Sequence, residues 1–144
     1  MRMLNEMRVS FLSKSSNESF ARVTVAAFVA QLDPTIEELT EIKTAVSEAV
    51  TNSIVHGYAD RVGKITITAR IKEGQIVEVL VADKGCGIEN IEQAKEPLFT
   101  TCTTGERSGM GFTIMQTFMD SMRVTSKAGK GTTVKLRKRI QARQ

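Results

Sequence analysis

Hydrophobic and polar residues repeat with two different periods along the chain, and these periods divide it into helices and strands. Apolar residues recur every three or four positions in residues 20–32 and 36–54, which predicts two amphipathic helices. An S/T-x-x-E motif stands at residues 15–18 and again at residues 35–38, and each predicts a capping box at a helix start. Gly57 stands where a C-cap glycine would end the second helix.

Alternation with a period of two predicts the remaining elements as strands. Two alternating segments flank Glu73-Gly74 and predict a hairpin, and two more flank the turn AGKG. The chain order is strand, helix, helix, hairpin, loop, helix, hairpin, which indicates an α/β two-layer sandwich with the helices on one face of a mixed or antiparallel sheet. The predicted strands are residues 7–12 (an edge strand), 64–72, 75–83, 122–126 and 132–139, and the further helices are residues 109–120 and a short one at 89–95.

Composition limits the possible classes of protein. The 144 residues, 41% of them hydrophobic, suit a single domain spanning residues 1–144. A net charge of +4 permits an acidic partner or nucleotide phosphates but is too weak to indicate nucleic acid. Cys86 and Cys102 lack zinc-site spacing and a secretory context, so we expect free thiols in a reducing cytoplasm. No segment approaches the ~20 apolar residues of a membrane span.

Three polar residues interrupt the second helix at intervals of four. Glu48, Asn52 and His56 therefore lie in one line along a helix that packs on a core. Asn52 is flanked by apolar residues, and a buried amide without a partner costs roughly 1–3 kcal/mol. Magnesium retains waters and takes phosphate oxygens, so one Asn oxygen is a plausible protein ligand for it. Glu48, one turn away, could deprotonate an attacking hydroxyl. The alternative is a polar margin of the buried face.

The segment DKGCGI follows a predicted strand and contains the motif D-x-G-x-G. Gly85 and Gly87 would let a flat ligand lie against the backbone, while Asp83 accepts a hydrogen bond from an exocyclic amine. The alternative is a tight turn with a solvated carboxylate.

The segment RSGMGF opens the third long helix. The free backbone N–H groups at the helix start, where Gly109 and Gly111 stand, would face an anion, and Arg107 could reach a terminal phosphate. The alternative is a glycine-rich N-cap with an exposed arginine. Thr132, at the start of the last strand, could bond a ring or be an ordinary strand threonine.

Taken in order, E-x-x-x-N, D-x-G-x-G, G-x-G and G-T resemble the N, G1 and G2 boxes of the Bergerat-fold (GHKL) ATPases. Residues 17–139 are similar to the anti-sigma-F serine kinases of endospore-forming bacteria, above all in FARVTVAAFVAQLDPT, SEAVTNSIVHGY and ERSGMGFTIM. This resemblance implies a Bergerat ATP-binding fold with a mobile ATP lid between the G1 and G2 boxes.

The resemblance also implies roles for single residues. Glu48 matches the general base, Asn52 the magnesium ligand and Asp83 the carboxylate that reads adenine. Arg107 matches an arginine near the γ-phosphate that assists catalysis. We assign no chemistry to His56. The resemblance also implies further contacts to the nucleotide, at Gly85, Gly87, Thr100, Thr101, Ser108, Gly109, Met110, Gly111, Phe112 and Thr132.

The expected activity follows from the resemblance and from what the chain lacks. His56 is the one histidine, so a histidine kinase's separate phosphorylated histidine is missing, and 144 residues leave no room for a second ATPase domain. The resemblance implies ATP or ADP with Mg²⁺, a serine acceptor on an anti-anti-sigma factor, a sporulation sigma-F partner and a homodimer. The alternative is a nucleotide-gated binding module with little or no kinase activity.

Two charged features bear on partners. Glu18 and Arg22, four residues apart on the first helix, form either a surface ion pair or a contact shared by both partners. The basic tail KLRKRIQAR lacks aromatic residues, so we interpret it as a solvated strand face and expect neither nucleic acid nor membrane as a partner.

Overall fold

Five antiparallel strands form a single sheet in the order β1-β2-β3-β5-β4 in the computed structural model, which describes residues 1–88, Lys95 and residues 110–141. All four strand pairings are antiparallel, so of the two sheet types expected the antiparallel one is correct and the mixed one is not. The strands are β1 (Met3–Leu12), β2 (Lys64–Lys72), β3 (Ile76–Asp83), β4 (Ser121–Lys127) and β5 (Gly131–Arg139).

The helices lie on one face of this sheet, which confirms the predicted two-layer sandwich. Helix α1 (Ser16–Val29) continues as a short 3₁₀ turn (Ala30–Leu32). Helix α2 (Ile36–Asn52) continues as a π-helical segment (Ser53–Gly57), and helix α3 spans Gly111–Phe118. Helix α2 packs between α1 and α3, so it is the central element of the helical layer.

The core fills the space between the two layers, as the period-two pattern predicts. One face of β2 contributes Ile65 and Ile67, and β3 contributes Val79, and all three are fully buried. On the opposite side α2 contributes Ile42 and Val46, which are also fully buried. Each such side chain stabilises the fold by about 1.5–3 kcal/mol relative to exposure. The buried apolar faces thereby fix how α2 lies on the sheet.

The two predicted capping boxes have different outcomes. At α2, Glu38 N–H donates to Thr35 Oγ1 at 3.0 Å and Thr35 N–H donates to Glu38 Oε1 at 2.9 Å, so this box is confirmed. Burial raises the pKa of Glu38, but hydrogen bonds from Gln141 and Thr35 outweigh it and leave that pKa below its ordinary value. At α1, Ser15 makes no side-chain cap, so that prediction is wrong. The Glu18 carboxylate accepts a hydrogen bond from Ser47 Oγ instead.

Element boundaries otherwise differ from the sequence prediction by a few residues. Strand β1 begins at Met3 rather than at residue 7, and α3 ends at Phe118 rather than at residue 120. The short helix expected at residues 89–95, apart from Lys95, and the expected ATP lid lie outside the described residues. Over the described ranges, no helix is both long enough and apolar enough to cross a membrane.

Candidate functional site

The carboxylate of Asp83, at the end of β3, is held by three donors from three different segments. Its Oδ2 accepts from Ser53 Oγ at 2.7 Å, and its Oδ1 accepts from Gly85 N–H at 2.9 Å and from Thr132 N–H at 3.3 Å. Asp83 is only 8% exposed. A carboxylate has about four acceptor positions, so about one remains for a ligand. The Asp83 carboxylate is therefore held in place with one acceptor position left for a ligand donor, and recognition of the adenine amine would need such a position.

The π-helical segment after α2 places two residues against this carboxylate. Tyr58 N–H donates to Ser53 O at 2.9 Å, five residues back, which closes the wide turn. Ser53 supplies the hydroxyl described above, and a Cβ on Gly57 would lie 2.9 Å from Asp83 Oδ2. Gly57 ends the helical segment as predicted, and it does so without the positive φ that is common at C-cap glycines. A glycine is needed because the Asp83 carboxylate lies where a side chain would be.

Glycines let the loop after β3 pack directly on neighbouring backbone. A Cβ on Gly85 would lie 2.0 Å from Gly57 O, and one on Gly87 would lie 2.1 Å from Lys127 O. Gly87 also has a φ of +74°, which favours glycine. We predicted these glycines as space for a flat ligand. The structure gives them a second task, since they allow the α2 end and the β4–β5 turn to contact the loop.

Replacing Gly85 with alanine is expected to destabilise the fold strongly. The new methyl group would overlap the carbonyl of Gly57, and the backbone has to move because no flexible side chain can yield. We expect Gly85→Ala to lower the free energy of unfolding by about 3 kcal/mol, the upper range for overpacking. Chemical denaturation measures this change.

Gly129→Ala is the matched control for that substitution. Gly129 has a φ of +78°, but a Cβ added there would meet nothing within 4 Å, so only backbone strain of about 1–2 kcal/mol is expected. Equal losses of stability for the two variants would contradict the packing role of Gly85.

Glu48 and Asn52 lie one turn apart near the end of α2, and both are partly buried. A Cβ on Gly111 would lie 3.2 Å from Glu48 Oε2, so the first residue of α3 faces this carboxylate. The N-terminal N–H groups of α3 have no side-chain cap and favour an anion in front of them. The structure thus brings a candidate base next to a candidate phosphate site.

Asn52 meets the requirement for a magnesium ligand. Its side-chain amide makes no hydrogen bond to any described residue, although the residue is partly buried. An amide oxygen in that position can bind an ion that keeps several waters and takes phosphate oxygens, as Mg²⁺ does. The residues present therefore fit magnesium.

Other predicted contacts have mixed outcomes. The Thr132 hydroxyl shares a 2.8 Å hydrogen bond with Ser126 Oγ, so it is engaged within the protein. Phe112 is 5% exposed and packs in the core, which leaves its backbone rather than its ring to face a ligand. Met110 precedes α3 directly. The predicted contacts Thr100, Thr101, Arg107, Ser108 and Gly109 lie outside the described residues, as does Cys102.

Two residues that hold the site in place, Ser53 and Tyr58, were not predicted from the sequence. Ser53 extends the line of small residues Ala45 and Ala49 that faces the sheet, and this spacing was the available signal. Tyr58 is 5% exposed, and its hydroxyl donates to Lys64 O at 2.6 Å and accepts from Lys84 N–H at 2.7 Å. Tyr58 therefore fixes the start of the loop that follows Asp83.

The predicted pair on α1 is formed. Arg22 Nη1 lies 3.7 Å from Glu18 Oε1, and Arg22 Nη2 donates to Ser19 Oγ at 3.3 Å. Such a pair contributes only a few tenths of a kcal/mol, about 0.2–0.5. A contact with a partner at these residues stays a prediction.

The chain is similar to known proteins along most of its length. The model of the histidine kinase-like ATPase domain matches residues 13–138. The anti-sigma F factor of Clostridium beijerinckii is 60% identical over 137 residues, covering 94% of this chain and 95% of that protein. The anti-sigma F factor of Thermoanaerobacter sp. is 62% identical over 136 residues, covering 94% of each. The RsbU and RsbW domains of a Mycobacterium tuberculosis protein share the fold, with a TM-score of 0.69, 22% identity, and coverage of 97% of this chain and 34% of that one.

Proposed function

From the premise that the chain belongs to the histidine kinase-like ATPase family and, within it, to the anti-sigma F factors, we propose that it is an anti-sigma factor and a protein serine kinase. It binds and inhibits the sporulation sigma-F factor. With Mg²⁺ and ATP it phosphorylates a serine of an anti-anti-sigma factor and thereby inactivates it. The observation that carries the kinase assignment is the Glu48 carboxylate facing Gly111 at the start of α3.

Each residue of the site has one task in this proposal. Asp83 accepts the adenine amine, and the N-terminal N–H groups of α3 face the phosphates. Asn52 Oδ1 holds the magnesium ion, which supplies charge compensation for the phosphate oxygens when bound. Glu48 takes the proton from the attacking serine hydroxyl. Arg107 is proposed to contact the γ-phosphate.

The acceptor is proposed to be another protein because the chain offers no acceptor histidine of its own beyond His56, which lies in the π-helical segment beside Asn52. Glu18 and Arg22 on α1 are proposed as a contact for both protein partners, the chain as a homodimer, and its location as the cytoplasm. A nucleotide-gated binder without kinase activity would need no base, so Glu48 favours the kinase.

Label transfer tests the proposal directly. Purified protein is incubated with γ-labelled ATP, Mg²⁺ and an extract of sporulating cells that lack it. We expect acid-stable phosphoserine on one small protein. Label that stays on ATP or appears only as free phosphate would exclude the kinase and favour the nucleotide-gated binder.

Asn52→Ala is expected to weaken nucleotide binding in the presence of magnesium. The substitution removes the amide oxygen assigned to the ion, and we expect the affinity for Mg²⁺-ATP to fall about tenfold or more, the range for a lost hydrogen bond to a charged group. Titration of nucleotide with and without Mg²⁺ separates this effect from a general loss. Thr51→Ala, the neighbouring change on α2, is the control. An unchanged magnesium dependence in Asn52→Ala would refute the assignment.

A further inference from the structure

The sheet face opposite the helices carries a row of small residues across four strands. The strand registers place Thr66, Ala82, Thr133 and Thr125 side by side on β2, β3, β5 and β4. The next row, two residues further along each strand, includes the longer Leu80 and Lys135. The small residues therefore form the floor of a cleft of about 890 Å³.

Exposed lysines surround this cleft, which we call the lysine cleft. Lys64 and Lys84 line one side, and Lys127 and Lys130 of the β4–β5 turn line the other. None of the four makes an ion pair with a residue that the structure describes. Among the described lining residues, Asp83 alone carries a carboxylate, and that carboxylate already accepts hydrogen bonds from three protein donors. The cleft therefore presents unpaired positive charge over a floor of three threonines and Ala82.

We propose that the lysine cleft binds an extended acidic segment of a partner protein, with several Asp or Glu side chains over the floor. Lys64 on β2 and Lys127 on β4 are separated by three strand spacings, about 14 Å at ~4.8 Å each. An extended chain covers that distance with about four residues at ~3.3 Å per residue. Alternate carboxylates of such a segment can face lysines at both ends at once.

Nucleic acid fits this surface less well than a peptide does. The aromatic residue among the described lining residues is Tyr58, which is 5% exposed. The guanidinium of Arg61 lies over its ring, 5.5 Å from the centroid. The cleft therefore offers no open aromatic face on which a base could stack.

A second copy of the chain is also disfavoured. The chain carries a net charge of +4, and the carboxylates of Glu6 and Glu78 on this sheet face are already paired with Arg70 and Lys72, both at distances below 3 Å. Burial raises the pKa of Glu78, but its lysine neighbours outweigh this and leave that pKa below its ordinary value, so it is ionised at neutral pH. Two such faces would oppose like charges.

Both sides of the cleft are bonded to the loop that follows Asp83. Arg61 Nη2 donates to Lys84 O at 3.0 Å, and Gly129 N–H donates to Cys86 O at 2.6 Å. The cleft thus borders the candidate nucleotide site, and its lining includes Asp83 and Thr132 of that site, but its four lysines stand outside the predicted nucleotide contacts. An acidic segment can therefore bind while the nucleotide groups remain in place.

Peptide binding tests the proposal. Fluorescein-labelled hexaglutamate is titrated with the full chain at low salt and followed by fluorescence anisotropy, with hexaglutamine as the uncharged comparison. We expect hexaglutamate alone to bind, and Lys127→Gln/Lys130→Gln to weaken it by about tenfold, since each exposed charge contact contributes up to ~1 kcal/mol. Lys14→Gln/Lys43→Gln removes the same charge at two residues that do not line the cleft and is expected to change affinity by less than about twofold.

Three results would overturn the proposal. Equal losses for the two double variants would mean general attraction to a basic protein. No binding of hexaglutamate at low salt would mean a merely solvated face. Displacement by inorganic triphosphate or single-stranded oligothymidine at lower concentration than by unlabelled hexaglutamate would mean a phosphate site. Thermal unfolding of all variants verifies that they are folded.

Discussion

Glu48→Gln is expected to lower the rate of phosphoryl transfer by about 10²–10⁴-fold, the usual contribution of a general base. The amide keeps the size and polarity of the side chain but cannot take a proton from a serine hydroxyl. Because Asp83 and Asn52 carry the proposed contacts to adenine and magnesium, nucleotide affinity should change by less than about threefold. The rate constant of transfer and the dissociation constant of Mg²⁺-ATP are therefore measured separately.

Glu37→Gln is the matched control for this prediction. Glu37 is an exposed carboxylate in the first turn of the same helix, so its loss tests for a general charge effect without touching the site. We expect wild-type transfer rates. Parallel losses of transfer and of nucleotide binding in Glu48→Gln would show that Glu48 binds nucleotide or supports structure and is not the base.

The architecture was predictable because the hydrophobic residues repeat with a period of two in the strands and of three to four in the helices. In β2, Ile65 and Ile67 alternate with Thr66 and Thr68, and the structure confirms a strand whose two isoleucines are fully buried, although Thr68 is buried as well. The failed capping box at Ser15 shows the limit of such local signals. The motif is present, but a tertiary hydrogen bond from Ser47 occupies the Glu18 carboxylate, and no local pattern contains that contact.

The candidate site residues were easier to predict from the sequence than the contacts that hold them in place. Glu48, Asn52 and Asp83 stand in recognisable motifs, because the same side chains must face the same kind of ligand. Ser53 was missed because a serine on the buried side of a helix gives no sign of a role until its hydrogen-bond partner, Asp83 on β3, is known. The packing of Gly85 on Gly57 is likewise a contact between distant segments, and the motif alone suggests only flexibility.

Asp83→Asn is expected to weaken ATP binding by about 10- to 150-fold, the loss of a hydrogen bond to a charged group worth ~1.5–3 kcal/mol. The Asn oxygen can still accept from Gly85 and Thr132, and the Ser53 hydroxyl can turn to accept from the new amide. The fold should therefore survive, while the amide now presents a donor where the adenine amine also donates. Calorimetric titration with ATP measures the loss.

Nucleotide choice separates this explanation from simple damage to the site. The amide of Asp83→Asn can donate to a ring carbonyl, so the preference for ATP over GTP should shrink, because ATP loses a bond and GTP gains one. Ser53→Ala removes one donor to the carboxylate but keeps its charge, and it should weaken ATP by only about three- to tenfold without changing the preference. Equal losses of affinity for ATP and GTP in Asp83→Asn would mean that the carboxylate holds the loop in place and does not recognise the base. The protein alone could explain such a role, because the donors in β5 and the π-helical segment bind the carboxylate without any ligand.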